Sequence, residues 1–414
     1  MENKNLIDLG LHYVSDFVEK DYDYSSAKKY PLNLIYSEEL ECPVLGEQPP
    51  KEMMWGKYWY RSSINPIMVN ALKDIVDDIK SNIKYEKGDV WLDIAANDGT
   101  LISFIGDEFI KVGIDPVEGE LHEACKAKAD YVSQNYFNKG SFDEIGLNKK
   151  AKVITCIAMF YDLQNPHEFI QDIMDVMDDE GLLVLQLSYT PLMIKQLAFD
   201  NIVSEHFAYH SLTSVESICS SKGLKVVDVK LNDVNGGSVR VYLRKKNSNE
   251  ENYSTKQNRD VSEIRYQSLR DWEKNSYNPI EDWKEFGERL ESLKVGLTDF
   301  VKKERETGKR FWAYGASTKG NTLLQYFNLD HNVIDGVAER SEFKYGYYTI
   351  GTHIPIFSEQ DMRDAQPDYL IILPWHFVRE FSLREKEYLD KGGKFVIPCP
   401  ELVLLSKNGY EKIN

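Results

Sequence analysis

Residues 90–101 run VWLDIAANDGTL. A short apolar run ends at Asp93, a tight turn closes on Gly99, and apolar residues then return at helical spacing. That order predicts a strand, a turn and a helix. The next apolar run, IKVGIDPV (110–117), ends at Asp115, 22 positions after Asp93. The arrangement is the one nucleotide sites need. A tight turn brings backbone close to the ligand, and an acid about 20 positions on holds two ribose hydroxyls. The dinucleotide fingerprint G-x-G-x-x-G is absent, and an ordinary strand–helix turn with an acid downstream is the plain alternative.

Outward from this unit the alternation continues. ELHEACKAKADYV (120–132) has helical spacing, AKVITCIAMF (151–160) is strand-like, NPHEFIQDIMDVM (165–177) is helical and GLLVLQLSY (181–189) is strand-like. Alternation at this spacing means a parallel sheet with helices on its faces. GLKVVDVKLNDV (223–234) and GGSVRVYLRKK (236–246) should add an antiparallel pair. Upstream, residues 66–83 have helical spacing, and residues 1–65 suggest a small irregular or β-rich lobe. Residues 246–262 are polar and suggest a linker, followed by helical segments to about 305. A second alternation begins at RFWAYGAS (310–317) and ends with KFVIPCPEL (394–402). The expected division is 1–65, 66–245, 246–305 and 306–414.

Composition narrows the function. A net charge of −17 argues against nucleic acid or an anionic membrane as the main partner. The five cysteines include no C-x-x-C pair, so neither a disulfide framework nor a cysteine-rich zinc site is indicated. No basic leader with an apolar core opens the chain and no 18-residue apolar run occurs, which suggests a cytoplasmic protein.

Asp93 followed by Ala95, Asn97 and Gly99 resembles motif I of the class I S-adenosylmethionine (SAM) methyltransferases, an acid followed by G-x-G-x-G. Ala95 and Asn97 replace the first two glycines. An alanine still permits close approach where its φ is negative. The resemblance then lengthens. LDIAANDGTL, MFYDLQNPHEF, FDNIVSEHFAYHSL, NGGSVRVYL, AYGASTKGNTLL and GTHIPIF with PDYLIILPWH occur in the order of the sugar C-methyltransferase family, covering about residues 6–402. The resemblance implies an α/β fold of three parts: a small N-terminal lobe, a class I SAM-binding Rossmann-like domain, and a second, C-terminal Rossmann-like domain for a nucleotide-sugar. It further implies SAM as cofactor, bound by Asp93, Ala95, Asn97, Gly99 and Asp115, and methylation of a carbon in a nucleotide-linked keto-deoxysugar. The family's N-terminal lobe usually carries four zinc cysteines. Here only Cys42 lies in that region, so no metal is expected.

Carbon methylation needs a carbanion equivalent. A sugar C–H becomes acidic enough only beside a carbonyl, so the site requires a base and donors for the enolate oxygen. By resemblance His206 is the base, and Glu205 orients it or touches the sugar. Tyr209, Tyr58 and Tyr60 are candidate donors to the keto oxygen. Val203, Ser204 and Asp162 depart from the family pattern and suggest a divergent substrate. Methyl transfer to oxygen or nitrogen, and a non-catalytic nucleotide-sugar-binding protein, are the alternatives.

Asn235, Gly236 and Gly237 could leave room for a ligand, with Arg240 on its phosphate; a hairpin turn with a strand arginine explains them equally. YGASTKGNT (314–322) has the spacing G-x-x-x-x-G but lacks the lysine a P-loop needs next, so nucleotide hydrolysis is not expected. A turn opening a helix still suits an anion. The resemblance implies that this domain holds the nucleotide-sugar, with Ser317, Lys319 and Asn321 as candidate contacts and Lys319 facing the pyrophosphate. His353, Trp375 and His376 are placed near the cleft, inter-domain packing being the alternative.

Overall fold

The computed structural model describes residues 5–55 and 59–413. Its central sheet has seven strands in the order Leu224–Asn232, Ser238–Lys245, Met177–Ser188, Ala151–Ile157, Asp89–Ile94, Phe109–Ile114 and Tyr131–Ser133. All run parallel except Ser238–Lys245, which is antiparallel to both neighbours. Val90, Trp91 and Leu92 are fully buried, as expected of a strand covered on both faces. Chain order reverses between Asp89–Ile94 and Ala151–Ile157, so their carboxyl ends open a crevice where such sheets bind ligands.

The helix expected directly after Gly99 is only a single 3-10 turn, Ile102–Phe104, which ends before Gly106. The antiparallel pair is present, with Leu224–Asn232 and Ser238–Lys245 joined through the Gly236–Gly237 turn. The polar stretch 246–262 is only partly a connection. Thr255 caps a helix, Lys256–Ser276, by accepting from the Asn258 amide. This helix packs on the Leu224–Asn232 strand, so few of its residues need be apolar. Its Glu273 is buried and accepts from Tyr189 Oη, the Leu212 amide and the Thr213 amide and hydroxyl. A second long helix, Glu281–Glu306, buries Trp283, Phe286, Leu290, Leu293, Leu297 and Val301 along one face.

A second seven-stranded sheet runs Ile356–Ser358, Val337–Glu339, Phe311–Tyr314, Tyr369–Ile372, Lys394–Ile397, Val403–Ser406 and Gly409–Lys412. Its first five strands are parallel and the last two form an antiparallel meander. The fold is thus α/β with two mixed sheets. The N-terminal sheet, Asn5–Tyr13 with Lys29–Ser37 and Cys42–Leu45, is antiparallel and bridges the other two. Phe17–Val18 pairs with Tyr348–Thr349, and Val44 bridges Ala208. Cys42 is packed among apolar side chains with Leu40 and Val44, and burial pushes its thiol up to about 12. Among the described residues, no group of three or more His, Cys, Asp or Glu could hold a metal ion. No helix among them is long and apolar enough to cross a membrane.

Candidate active site

The crevice begins at the Ile94–Gly99 turn. Ala95, Asn97 and Gly99 have φ of +59°, +51° and +71°. The negative φ at which an alanine would be unstrained is therefore not the one Ala95 adopts. The left-handed backbone of G-x-G-x-G is kept although two glycines are gone, at a cost of roughly 1–2 kcal/mol for a non-glycine residue. The surroundings hold it in place. The Asn97 amide donates to Asp115 Oδ2 (2.8 Å) and the Ala95 amide to the Ile114 carbonyl (2.8 Å). Asn97 Oδ1 accepts from the Ser62 amide (3.1 Å), and its Nδ2 donates to the Tyr60 carbonyl (3.2 Å). A Cβ on Gly99 would lie 2.9 Å from Cys125 Cα, so this third position must be glycine.

Asp93 is buried and accepts from Thr155 Oγ1 at 2.6 Å. Burial, with the charge of Asp115 adding to it, pushes its carboxyl up to about 7. Asp115 receives one backbone N–H on each oxygen, from Asn97 and Val117. Each oxygen keeps a lone pair with which to accept from a ribose hydroxyl. The segment 59–65 closes over this turn, and burial pushes the Tyr60 hydroxyl, hydrogen-bonded to Ser62, up to about 12. Tyr58 lies outside the described residues. The turn, Asp93 and Asp115 fit a nucleoside cofactor.

A second cluster forms where all three sheets meet. His206 Nδ1 lies 2.9 Å from the Asn201 carbonyl oxygen. A carbonyl only accepts, so Nδ1 carries the proton and Nε2 presents a lone pair. Burial, then the charge of Lys319, lowers His206 to about 3, so the ring is neutral. Tyr161 packs on it with ring centroids 4.3 Å apart. Tyr209 Oη donates to the same Asn201 carbonyl at 3.4 Å. Tyr209 is buried with its hydroxyl on the loop, and the Asn201 carbonyl orients the imidazole, which leaves Glu205 the other of its two expected roles, contact with the sugar. Glu205 Oε2 is buried without a hydrogen-bond partner, and burial pushes its carboxyl up to about 7.

Lys319 enters from the C-terminal sheet's first helix, Thr318–Tyr326. Its Nζ donates to Asn201 Oδ1 at 2.5 Å and interacts with Asp200, Asp162 and Glu205. It faces this cluster. Ser317 accepts from the Gly320 amide as helix cap, and Asn321 Nδ2 donates to the Asp16 carbonyl, so the N-terminal lobe covers that turn. Six other residues expected at a ligand, Asn235, Gly236, Gly237, Arg240, Trp375 and His353, make packing contacts of their own. Gly236 and Gly237 have φ of +84° and +116°. A Cβ on Gly237 would meet Leu192 at 3.0 Å, and one on Gly236 would approach Trp375 at 3.7 Å. Asn235 takes the left-handed conformation in the same turn. Arg240 is buried and bonds Asp74, Asp78, Gln186 and Tyr242. Trp375 Nε1 donates to buried Asp200 Oδ1 (3.2 Å), the packing alternative. His353 stacks on Tyr348 and neighbours Tyr24 and His331, between the N-terminal lobe and the C-terminal sheet. His376 does reach the cluster: burial, then the charge of Lys319, lowers it to about 3.

The methyltransferase-domain family matches residues 69–229, and the family described as the C-methyltransferase C-terminal domain matches 233–400. The chain is a SAM-dependent methyltransferase whose C-terminal part matches the C-methyltransferase model. It is 26% identical to the C-methyltransferase NovU of Streptomyces niveus over 378 residues, 91% of this chain and 88% of that one. Solved structures include a SAM-dependent methyltransferase from Clostridium acetobutylicum ATCC 824, 12% identical over 45% of this chain and 94% of its own. The plantazolicin methyltransferase BpumL with S-adenosylhomocysteine is 12% identical over 44% of this chain and 86% of its own. Each has a TM-score of 0.34, and the strand order described above, not this likeness, gives the fold. This methyltransferase uses SAM. Two site residues had no signal in the sequence. Asn201 acts through a backbone carbonyl, and Tyr161 contributes a ring face.

Proposed function

We propose that this methyltransferase methylates a carbon next to the keto group of a nucleotide-linked 4-keto-deoxysugar, through an enolate. The observation that carries the reading is the fixed tautomer of His206, with Nδ1 committed to Asn201 and no protein group among the described residues on Nε2. A neutral imidazole so held is a proton acceptor. The bound cofactor supplies an electrophilic methyl group. Asp93, Asp115 and the 95–99 turn hold its nucleoside part. His206 Nε2 takes the proton from the carbon beside the carbonyl, and burial of the loop keeps water from competing for it. The resemblance of the six ordered sequence blocks supports a nucleotide-linked ketosugar as the substrate class.

The test is a panel of nucleoside-diphosphate ketosugars incubated with SAM and the protein. The expected product gains one methyl group on carbon, and in D2O the adjacent proton exchanges. Methyl transfer to oxygen or nitrogen, without exchange on any ketosugar, would overturn the reading.

A further inference from the structure

Three carboxyl groups, Asp162, Glu205 and Asp200, share the field of one cation, Lys319. Asp200 is tied to Trp375 Nε1. The other two are not tied: Asp162 Oδ1 and Glu205 Oε2 are both buried, and neither has a hydrogen-bond partner among the described residues. A bare carboxylate away from water is costly, and two of them interacting resist double ionisation. Asp162 sits on the 3-10 turn Phe160–Asp162, which is fastened to the His206 loop. The Ala208 amide donates to the Tyr161 carbonyl at 2.8 Å, and the Tyr161 ring packs on His206. The Asp162 amide donates to the Met159 carbonyl at 2.8 Å, fixing the residue in the turn.

We propose that Asp162 is a neutral carboxylic acid in the resting enzyme and donates a hydrogen bond to the substrate's carbonyl oxygen as the enolate forms. The proposal rests on the enolate reading above. The electron account closes within the site. The C–H bond breaks and its proton goes to His206 Nε2. The bonding pair forms the C=C bond, and the carbonyl π pair moves to oxygen, where the Asp162 O–H meets it. The Asp162 O–H bond itself is kept, and return of the proton from His206 regenerates the ketone.

A neutral donor suits this base better than a second cation would. Lys319 already lowers the proton affinity of His206, and another positive charge would lower it further. An ionised Asp162 would repel the enolate instead. Its carboxyl is held well above the ordinary range by burial and then by the charge of Glu205, against the pull of Lys319. An acid kept neutral so that it can donate is an established way to stabilise an enolate. The groups in this field include Asp16, Cys156, Asp200, Glu205, His206, Tyr209, Lys319 and His376.

The test compares Asp162→Asn with Asp162→Ala. Removing one donor to a developing oxyanion costs about 10²–10³-fold in rate. Asp162→Ala should therefore slow proton exchange of the ketosugar in D2O by that factor, with SAM affinity within about twofold of wild type. Asp162→Asn keeps an N–H donor of the same shape and should recover at least tenfold of the loss. Equal damage in both variants, or exchange at the wild-type rate in Asp162→Ala, would overturn the proposal. Infrared difference spectra of the substrate-free proteins at pH 7 give a readout independent of substrate. Wild type minus Asp162→Asn should show a carboxylic-acid C=O band, and a carboxylate band in its place would overturn the proposal. If that band is present but wild type exchanges no ketosugar proton, it is the enolate reading that fails.

Discussion

The Asn201 carbonyl oxygen accepts from both His206 Nδ1, at 2.9 Å, and Tyr209 Oη, at 3.4 Å. One backbone atom thus fixes the tautomer of the base and ties it to a buried phenol that packs on Trp283. The base is oriented by the protein's own backbone, so little reorganisation is left to the reaction.

His206→Asn should remove proton exchange and methyl transfer, by at least the 10²–10⁴-fold typical of a general base. SAM binding by calorimetry should stay within about twofold, because the cofactor contacts lie on the 95–99 turn. A variant that still exchanges the substrate proton would remove His206 from the mechanism.

Lys319 should govern the titration of this cluster. It lowers the proton affinity of His206, Glu205 and Asp162 alike. Lys319→Met should therefore raise all three, while burial still keeps His206 below an ordinary histidine. Nitrogen NMR of labelled histidines should show wild-type His206 neutral, with Nδ1 protonated, down to pH 5. In Lys319→Met its titration should move upward. An imidazolium signal for wild-type His206 at pH 6.5 would contradict the assignment.

Arg240 gives a contrast between a ligand contact and a structural one. It is buried, with Asp74 at 3.0 Å, Asp78 at 3.4 Å and Gln186 at 2.9 Å. Arg240→Ala should cost roughly 2–4 kcal/mol, since it strips partners from Asp78 and Gln186. Urea unfolding measures this. Substrate KM should hold, whereas a phosphate-binding arginine would raise KM at constant stability.

Arg240 also shows where sequence legibility stops. The central α/β alternation was readable from Val90 to Tyr189 because each strand is a short apolar run and the intervening helices have one apolar face. Asp93 and Asp115 are proposed from their spacing at two strand ends, and Glu205 and His206 only from the resemblance of the blocks around them. Which side chains a turn serves is a long-range matter. Arg240 meets Asp74 and Asp78 from a helix more than 160 positions earlier. Gly237 clears Leu192, and Lys319 crosses from another sheet to Asn201. No local pattern encodes those meetings. The helix at Lys256–Ser276 was obscured at its start because its first turns are polar and its packing rests on few residues.

Asp93 should make the fold less stable at the pH where the enzyme works. In the folded chain its carboxyl is pushed up to about 7, first by burial and then by Asp115, with the Thr155 hydroxyl opposing. In the unfolded chain it titrates near its ordinary 3.8. Between these values the folded state holds the proton and the unfolded state does not. Its contribution is thus full below about 3.8 and is lost as pH rises through about 7. Asp93→Asn stays neutral throughout, and its amide oxygen still accepts from Thr155. The variant should gain roughly 2–4 kcal/mol over wild type at pH 8 and almost nothing at pH 4. Thermal unfolding across this range should show wild type falling relative to the variant, and parallel curves would refute the assignment. Weaker SAM binding by the same variant would show that the buried charge is kept for the cofactor at the expense of stability.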